Sequence, residues 1–412
     1  MLIQYSVKNY KSIRNEIIIN FSAGKDVVPD KIIYGERLNN PVYKCIGLLG
    51  PNASGKSNII DSLFFALRFI NSTIERKEKS KINVEMFLLD ENSRKEGAAF
   101  EFIFFENNIK YVYGFTVDTE HVLEEYLLEK HSEEETIVFE RDARSSSEYN
   151  FWGNDVEIQT EISKRTNSNR LYLPVAAEWG YEKVKVAYKW FEKVFRQYND
   201  TSIRRMIADV LKDNSKKRIL LEALSKADFN IKDVYVKKKK LEKQHRDAIV
   251  QFLVNVMGEG KGAETLVPED TPIIWVTHSS KDGKIFDIEL EEDSSGTRDI
   301  IDNIGEVLFI NEGGGLFIED EFGKNYHTKL TEYFLNLFNS SIVNSGKAQM
   351  FFSTHDTKIL NLLKPEQIYL VDKDEDGATY VKLLDDYEIR EKDNIELGYL
   401  SGRYGALPNI EK

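Results

Sequence analysis

The sequence predicts an α/β protein in which a parallel sheet is combined with an antiparallel β lobe and an inserted helical subdomain. Three observations favour this class. The apolar run "CIGLLG" leads into a glycine-rich turn and then into a helical pattern over 57–72. Short aromatic-rich runs separated by turn residues fill 83–151, as antiparallel hairpins do. After residue 293, helical patterns alternate with the buried-type strands "GLFIE" and "MFFST".

The length and composition of the chain restrict the classes of protein to which it can belong. A chain of 412 residues is long enough for two or three compact units. Apolar runs stay well short of the roughly 20 residues of a membrane span, and the start lacks a signal-peptide core, so we expect a cytoplasmic protein without membrane contact. The single cysteine, Cys45, excludes an internal disulfide, and the scattered positions of the six histidines argue against a zinc site.

The N-terminal part, 1–180, opens with strand patterns in "LIQYSVKNY" and "EIIINFS". The lobe at 83–151 follows the first helix and starts with "EMFLLD", which we interpret as a strand. Its Phe and Tyr residues are expected to form core. Together these segments predict one half of a larger domain.

The turn "GPNASGKS" (Gly50–Ser57) matches G-x-x-x-x-G-K-[ST] at every fixed position, between a strand and a helix. In this motif, backbone N–H groups and the helix N-terminus bind phosphate, the lysine reaches the outer phosphates, and the hydroxyl ligates Mg²⁺. A fortuitous glycine-rich turn is the alternative. The predicted nucleotide-binding residues are Gly50, Pro51, Asn52, Ala53, Ser54, Gly55, Lys56, Ser57 and Asn58.

The segment 181–260 has helical patterns throughout and is predicted to be an inserted helical subdomain. Within it, 201–250 contains 14 Lys/Arg against 7 Asp/Glu, while the whole chain has a net charge of −13. The run "VKKKKLEKQHR" (236–246) predicts a DNA contact through phosphate groups, and a solvated helical face is the alternative. A glycine-rich link, "GEGKGAE", leads on to the C-terminal part, 261–412.

The stretch "DSSGTRDI" (293–300) begins a helix, where Ser294 or Ser295 is suited to cap the first turn. Further on, "GLFIEDE" places Glu319, Asp320 and Glu321 at the end of a strand. Such carboxylates can hold Mg²⁺ and polarise water. We assign Asp320 to the metal and Glu321 to the general base, with Glu319–Asp320 as the alternative register.

Two later segments complete the pattern. In "MFFSTHDTKIL", His355 follows a buried strand, where it can contact a γ-phosphate, and a structural histidine is the alternative. Asp356 is expected to cap the next helix. The run "LVDKDEDGATYVKL" (370–383) has an acidic cluster of the kind found in TOPRIM nucleases, but its Asp-Gly turn favours a hairpin. We therefore expect no appended nuclease domain after His355.

In this order the motifs resemble ABC/SMC-type P-loop ATPase heads. More narrowly, the chain is similar to compact prokaryotic AAA-family ATP-binding proteins of anti-phage defence, a group that includes the ATPase subunits of abortive-infection L and PARIS and relatives of the OLD ATPases. The resemblance covers nearly the whole chain, from "VKNYKSIRNE" to "YLSGRYGALP". It implies an ATPase that uses ATP and Mg²⁺.

The resemblance also implies roles for particular residues. An Asp-Glu pair stands seven and six residues before a histidine in this family, and His327 selects Asp320 and Glu321. Gly323–Asn325 take the D-loop position. Ser294 and Gly296 would close over the γ-phosphate bound by a second copy, which makes a homodimer. The glutamine that usually serves the metal has no clear counterpart, and Gln159 is a poor candidate.

The partners follow from the same resemblance. It implies an ATP-gated dimer, or a higher oligomer, controlling a separate effector such as a TOPRIM-like nuclease or a toxin. Two other functions remain open at this point: a DNA-repair or DNA-end-binding ATPase, and an ATP-dependent scaffold that sequesters a toxin.

Overall fold

The computed structural model describes residues 1–24, 28–35, 41–131, 134–194, 200–226, 230–240, 243–257, 270–324, 327–389 and 393–407. The chain divides into two compact units. The first comprises Met1–Gln197, Ile310–Lys324 and Thr331–Lys412, and the second comprises Tyr198–Phe309 and Asn325–Leu330. The second unit thus starts later and ends later than the inserted segment 181–260 of the sequence-based division. Every helix among these described residues is too short or too polar to cross a membrane.

The strands of the described residues are, in chain order, β1 (Leu2–Lys8), β2 (Ile17–Asn20), β3 (Ile32–Ile33), β4 (Val42–Tyr43), β5 (Cys45–Leu49), β6 (Ala98–Glu106), β7 (Ile109–Val117), β8 (Val122–Lys130), β9 (Glu135–Asp142), β10 (Tyr149–Phe151), β11 (Ile231–Lys240), β12 (Asp270–Ser279), β13 (Ile285–Glu289), β14 (Leu316–Glu319), β15 (Gln349–Thr354), β16 (Ile368–Lys373) and β17 (Thr379–Leu383). The α-helices of the same residues are α1 (Lys56–Ser72), α2 (Val156–Ser163), α3 (Tyr172–Glu178), α4 (Glu182–Val194), α5 (Asp200–Val210), α6 (Asn214–Lys226), α7 (Lys243–Met257), α8 (Ser295–Gly313), α9 (Thr328–Asn339) and α10 (Ile395–Leu400).

A five-stranded sheet in the first unit carries the glycine-rich turn. Its order is β14-β15-β5-β16-β17, and only β17 runs antiparallel to its neighbour. Every residue of β5 and β15 is buried, as expected for parallel strands covered on both faces. The carboxyl ends of β14, β15, β5 and β16 therefore meet at one edge, where ligands bind in open α/β sheets.

An antiparallel sheet of seven strands forms the lobe, in the order β10-β9-β8-β7-β6-β1-β2. The prediction of hairpins is confirmed for β6 to β10, and their aromatic residues are core. Phe102 and Phe104, for example, are fully buried against Trp190 and Phe191 of α4. The predicted strand in "EMFLLD" is wrong, because the backbone N–H of Phe87 donates to the Asn9 side chain instead of to a neighbouring strand.

The second unit combines helices with a sheet of three antiparallel strands, β11-β12-β13. The expectation that 181–260 is helical throughout is wrong at 231–240, which forms β11. There Val234 and Val236 pair with Val276 and Ile274 of β12, and on this apolar side of the sheet Val234, Val276 and Ile274 are buried and Val236 is half-buried. The four lysines that follow Val236 are equally compatible with a helix, so the alternation of apolar and polar residues in this segment did not predict a strand. The other predicted helices are present as α4 to α7.

Two predictions near the C-terminus are confirmed. The segment 370–383 is a hairpin in which β16 pairs antiparallel with β17, and Gly377 has a φ of 77° in its turn. The strands "GLFIE" and "MFFST" are β14 and β15. The predicted fold class, an α/β P-loop head with an antiparallel lobe, is therefore confirmed, with the inserted part mixed instead of helical. The link "GEGKGAE" lies outside the described residues.

Candidate active site

The glycine-rich turn joins the end of β5 to the first turn of α1. Ala53 and Gly55 have left-handed backbone angles, with φ of 63° and 108°. A Cβ atom on Gly55 would lie 2.0 Å from Oγ1 of Thr379, whose hydroxyl donates to the carbonyl of Ser54 at 2.9 Å. Thr379 thus fixes the turn from outside, and only glycine fits beside it.

Lys56 points back across this turn. Its ammonium group donates to the carbonyls of Gly50 and Pro51, both at 2.8 Å. The residue is only 4% exposed, and burial lowers the pKa of Lys56 to about 8, although the charges of Asp320 and Glu321 act in the opposite direction. Burial therefore disfavours the charged form of Lys56 more than the nearby carboxylates favour it. An anion bound in the turn would stabilise the charged form.

Asp320 and Glu321 follow β14 directly, and Ser353 of β15 contacts both. The Ser353 hydroxyl donates to the Asp320 carboxylate and accepts the backbone N–H of Glu321 at 2.9 Å. Ser353 is fully buried, so this arrangement fixes the first two residues after the strand. Glu319 remains inside β14, opposite Phe352. This geometry favours the register in which Asp320 and Glu321 act as the pair.

The surroundings of Glu321 and of His355 shift the pKa values of these two side chains. Lys324, whose ammonium group donates a hydrogen bond to the Glu321 carboxylate, lowers the pKa of that carboxyl. His355 follows β15, as predicted, and its pKa is lowered by burial and then by the charge of Lys56. Near neutral pH, Glu321 is a carboxylate that can accept a proton, and His355 is a neutral imidazole that can donate a hydrogen bond.

Asp356 is confirmed as a cap. Its carboxylate accepts the backbone N–H of Lys358 at 3.0 Å, at the start of the 3₁₀ helix Thr357–Asn361. This cap fixes the chain immediately after His355. It therefore contributes to the orientation of the histidine, and Asp356 also lines the pocket that extends from the glycine-rich turn past His355.

Two adjoining pockets of the first unit are lined by the predicted residues of the glycine-rich turn together with Glu321 and His355, whereas Asp320 lines neither pocket. One, of about 430 Å³, is formed by Asn52–Asn58 together with Glu321, His355 and Lys373. The other, of about 1300 Å³, extends from the same turn past Glu321 and His355 to Tyr399 and Leu400. Gly50 and Pro51 also border the larger pocket. The phosphate turn, the carboxylate after β14 and the histidine after β15 are thus brought together.

The residues of this site are suited to binding a nucleoside triphosphate with Mg²⁺. The Ser54 hydroxyl is buried, and no hydrogen-bond partner for it occurs among the described residues. A Cβ on Gly50 would lie 2.2 Å from the carbonyl of Val371, so the backbone packs closely at the start of the turn. Ser57, exposed in the first turn of α1, and Asp320 supply the hard oxygen donors that Mg²⁺ prefers.

Ser294 and Gly296 belong to the second unit, at the start of α8. The Ser294 hydroxyl accepts the backbone N–H of Thr297 at 3.1 Å, which confirms the predicted cap. The carboxylate of Asp293 accepts the backbone N–H of Ser294 and lies 2.6 Å from Nε2 of His278 on β12. Hydrogen bonds therefore fix the backbone from Asp293 to Thr297 at the start of α8.

Several contributors were missed at the level of sequence. Ser353 and Thr379 fix the carboxylates and the turn, while Lys373 lines the phosphate pocket at the end of β16. The position of Lys373 after a buried parallel strand was a usable signal. Gln159 is fully buried in α2, its side chain without a hydrogen bond among the described residues. Asn325 of the predicted D-loop lies outside the described residues.

A glycine-rich turn between a buried parallel strand and a helix, with an Asp-Glu pair after a second strand, defines the class of P-loop nucleotide-binding proteins. Residues 45–361 match a family described as "AAA domain, putative AbiEii toxin, Type IV TA system". The chain belongs to this AAA-domain family. No curated protein matches the chain.

Three solved structures of SMC heads are similar to the chain at low identity. A head bound to the C-terminal winged-helix domain of ScpA is 12% identical, with a TM-score of 0.38 over 92% of this chain and 96% of that one. The head domain from Thermotoga maritima is 12% identical, with a TM-score of 0.35 over 94% and 99%. The head with an extended coiled coil bound to the C-terminal domain of ScpA, derived from Pyrococcus furiosus, is 13% identical, with a TM-score of 0.33 over 92% and 95%.

Proposed function

We propose that this protein is an ABC/SMC-type ATPase that hydrolyses ATP to ADP and phosphate in a Mg²⁺-dependent reaction. One observation carries the proposal: the buried ammonium of Lys56, the Glu321 carboxylate and the neutral His355 converge on the pocket formed by the phosphate turn. Ser57 and Asp320 would hold the metal. When bound, Mg²⁺ neutralises charge on the outer phosphates.

The chain's own groups have separable tasks in this proposal. When a nucleotide binds, the ammonium group of Lys56 leaves the carbonyls of Gly50 and Pro51 and donates to phosphate oxygens instead. Its positive charge then stabilises the negative charge of those oxygens at short range. Glu321 accepts a proton from the attacking water, since its lowered pKa keeps it ionised near neutral pH. His355 donates a hydrogen bond to the terminal phosphate. The backbone N–H of Glu321 is fixed on Ser353, so the base is positioned before substrate arrives.

Glu321→Gln tests the chemistry. The amide keeps the size of the carboxylate and cannot take up a proton, so we expect ATP affinity to be retained and turnover to fall by about a hundredfold or more. Turnover is followed by phosphate release and affinity by calorimetry. Glu332→Gln, which changes an exposed carboxylate of α9 that lines neither pocket, is the matched control. Equal turnover of Glu321→Gln and wild type would eliminate the proposed base.

The active unit we propose is a dimer in which Ser294 and Gly296 of one copy close over the phosphate bound to Lys56 of the other. A helix N-terminus with a hydroxyl is suited to binding an anion. Ser294→Arg should therefore abolish both turnover and ATP-dependent dimerisation, as read by light scattering after gel filtration. An equimolar mixture of Ser294→Arg and Lys56→Ala should recover turnover, because one intact site forms in a mixed dimer. Full turnover by Ser294→Arg alone would refute the shared site.

The biological role we propose is an ATP-gated switch in anti-phage defence that controls a separate effector, a TOPRIM-like nuclease or a toxin. The order of motifs and the description of the matched family support it. If this is correct, Glu321→Gln, trapped with ATP, should retain or release the product of a neighbouring gene differently from the nucleotide-free form. Copurification of the two products with and without ATP measures this difference. An association that does not respond to nucleotide would rule out gating.

A further inference from the structure

The sheet of the second unit has one face that the proposed ATPase function does not use. In the pairing of β11 with β12, Tyr235 lies opposite Trp275 and Lys237 opposite Ile273, with Lys239 one pair further. Side chains alternate along a strand, so these five residues lie on the same side of the sheet. We call this set the lysine–aromatic face. The opposite side holds the buried valines and isoleucine of the two strands, in the part of the sheet packed against α5 and α6.

The basic end of this face contrasts with the acidity of the chain. Lys237–Lys240 are all exposed, in a protein whose net charge is −13. Lys238, Lys239 and Lys240 make no ion pair with any described residue, so their charges are available to an anion. Among the described residues, the acidic residues on the same side of the sheet are Asp233 near the start of β11 and Asp287 and Glu289 on β13, all away from the Lys239 end of β11. Positive potential is therefore concentrated along the distal half of β11.

The aromatic rings lie at the border of this positive region, between Lys237 and the acidic residues of β13. The ammonium of Lys237 lies 4.2 Å from the centroid of the Trp275 ring and 5.2 Å from that of Tyr235. A flexible lysine thus covers ring faces on the surface of the sheet. If a flat, polarisable group stacked on these rings in place of the ammonium group, Lys237 would be free to bind an anion nearby.

We propose that the lysine–aromatic face binds single-stranded nucleic acid, with unpaired bases stacked on Trp275 and Tyr235 and phosphates bound by Lys237 and Lys239. Aromatic platforms bordered by lysines recognise single strands because every base has a stacking face, whereas in a duplex those faces are occupied by neighbouring base pairs. The lysines alone have a plainer explanation, since charges on an edge strand prevent edge-to-edge aggregation. That explanation does not account for the two rings beside them.

The test measures fluorescence polarisation of labelled 20-mers with the full chain in the absence of ATP: oligo-dT, oligo-U and a 20-base-pair duplex. We expect either single strand to bind at least tenfold more tightly than the duplex, and the preferred one identifies the sugar. Trp275→Ala should weaken single-strand binding about tenfold, as loss of one stacked base does, and Trp275→Phe should restore most of it. Circular dichroism verifies that each variant is folded.

Charge is tested separately with Lys237→Glu combined with Lys239→Glu. The slope of log affinity against log salt should fall by about 1.4, because each phosphate contact on a single strand contributes about 0.7. The charge-matched control is Lys232→Glu with Lys281→Glu, two exposed lysines outside the face, and should leave the slope unchanged. ATP turnover should be unaffected in both, which separates this proposal from the ATPase proposal. Equal binding of duplex and single strand, no binding at all, or insensitivity to Trp275→Ala would each overturn it.

Discussion

Replacing the buried lysine of the phosphate turn should make the nucleotide-free protein more stable while removing its function. In Lys56→Met, the aliphatic chain is retained and the charge is lost. The pKa of this group falls from 10.5 to about 8 on folding, chiefly through burial. At about 1.4 kcal/mol per pKa unit, the charged form costs the folded state about 3 kcal/mol at neutral pH. Loss of the hydrogen bonds to Gly50 and Pro51 offsets part of this, so we expect a net gain of about 1–2 kcal/mol.

The dependence on pH identifies the cause. Below pH 8 both the folded and the unfolded chain carry the proton on Lys56, so the cost is complete. Between about pH 8 and 10.5 the folded state releases this proton while the unfolded state retains it, and wild-type stability from this group rises with pH. The advantage of Lys56→Met should therefore shrink across this interval. ATP binding, which favours the charged lysine, should weaken over the same interval.

Urea unfolding of the nucleotide-free protein at pH 7 and at pH 10 measures both effects, with calorimetric titration of ATP alongside. Lys373→Met is the control, because Lys373 lines the same pocket but is exposed. It should alter stability by less than about 0.5 kcal/mol at either pH. A Lys56→Met protein that is less stable than wild type at pH 7, or whose difference from wild type is the same at both values, would refute the reasoning.

Three further substitutions test how the site is held. Ser353→Ala removes the hydroxyl that fixes the backbone of Glu321, so turnover should fall about tenfold or more with ATP affinity unchanged, in paired kinetic and calorimetric measurements. Gly55→Ala should destabilise the protein by more than about 2 kcal/mol in urea, because a left-handed alanine and a close contact with Thr379 both oppose it, and adding Thr379→Ala should restore part of the loss. Asp293→Asn should loosen the start of α8 and lower turnover without altering ATP affinity, and a loss of affinity instead would show that Asp293 acts on nucleotide directly.

Much of the site was predictable because its motifs are local. The phosphate turn is defined by spacing within eight residues, and strands β5, β14 and β15 are short apolar runs that parallel sheets require. His355 and Asp356 follow from the same rule. The register of the carboxylates could not be derived from these patterns, since Glu319 is an acidic residue inside a strand. The structure favours Asp320 and Glu321 through Ser353, a residue 32 positions away from Glu321.

The errors have a common physical origin. In β11 the alternation of Val234 and Val236 with polar residues was outweighed by four consecutive lysines, which are equally compatible with a solvated helix. Pairing with β12, more than thirty residues later, decides the conformation. In "EMFLLD" the apolar residues suggested a strand. The backbone N–H of Phe87 donates to the side chain of Asn9, however, so it is not available for pairing with a neighbouring strand. Tertiary partners, which local patterns do not specify, decided both segments.

The energetics of the pocket argue for a ligand independently of the motif. Lys56 is buried with its charge incompletely compensated, and the Ser54 hydroxyl is buried without a partner among the described residues. Ala53 and Glu321, which border the same pocket, have left-handed backbone angles that disfavour residues with side chains. Unfavourable features of this kind persist where function requires them. An anion bound in the turn would compensate the charge and engage the hydroxyl, so the folded state and the nucleotide should stabilise one another.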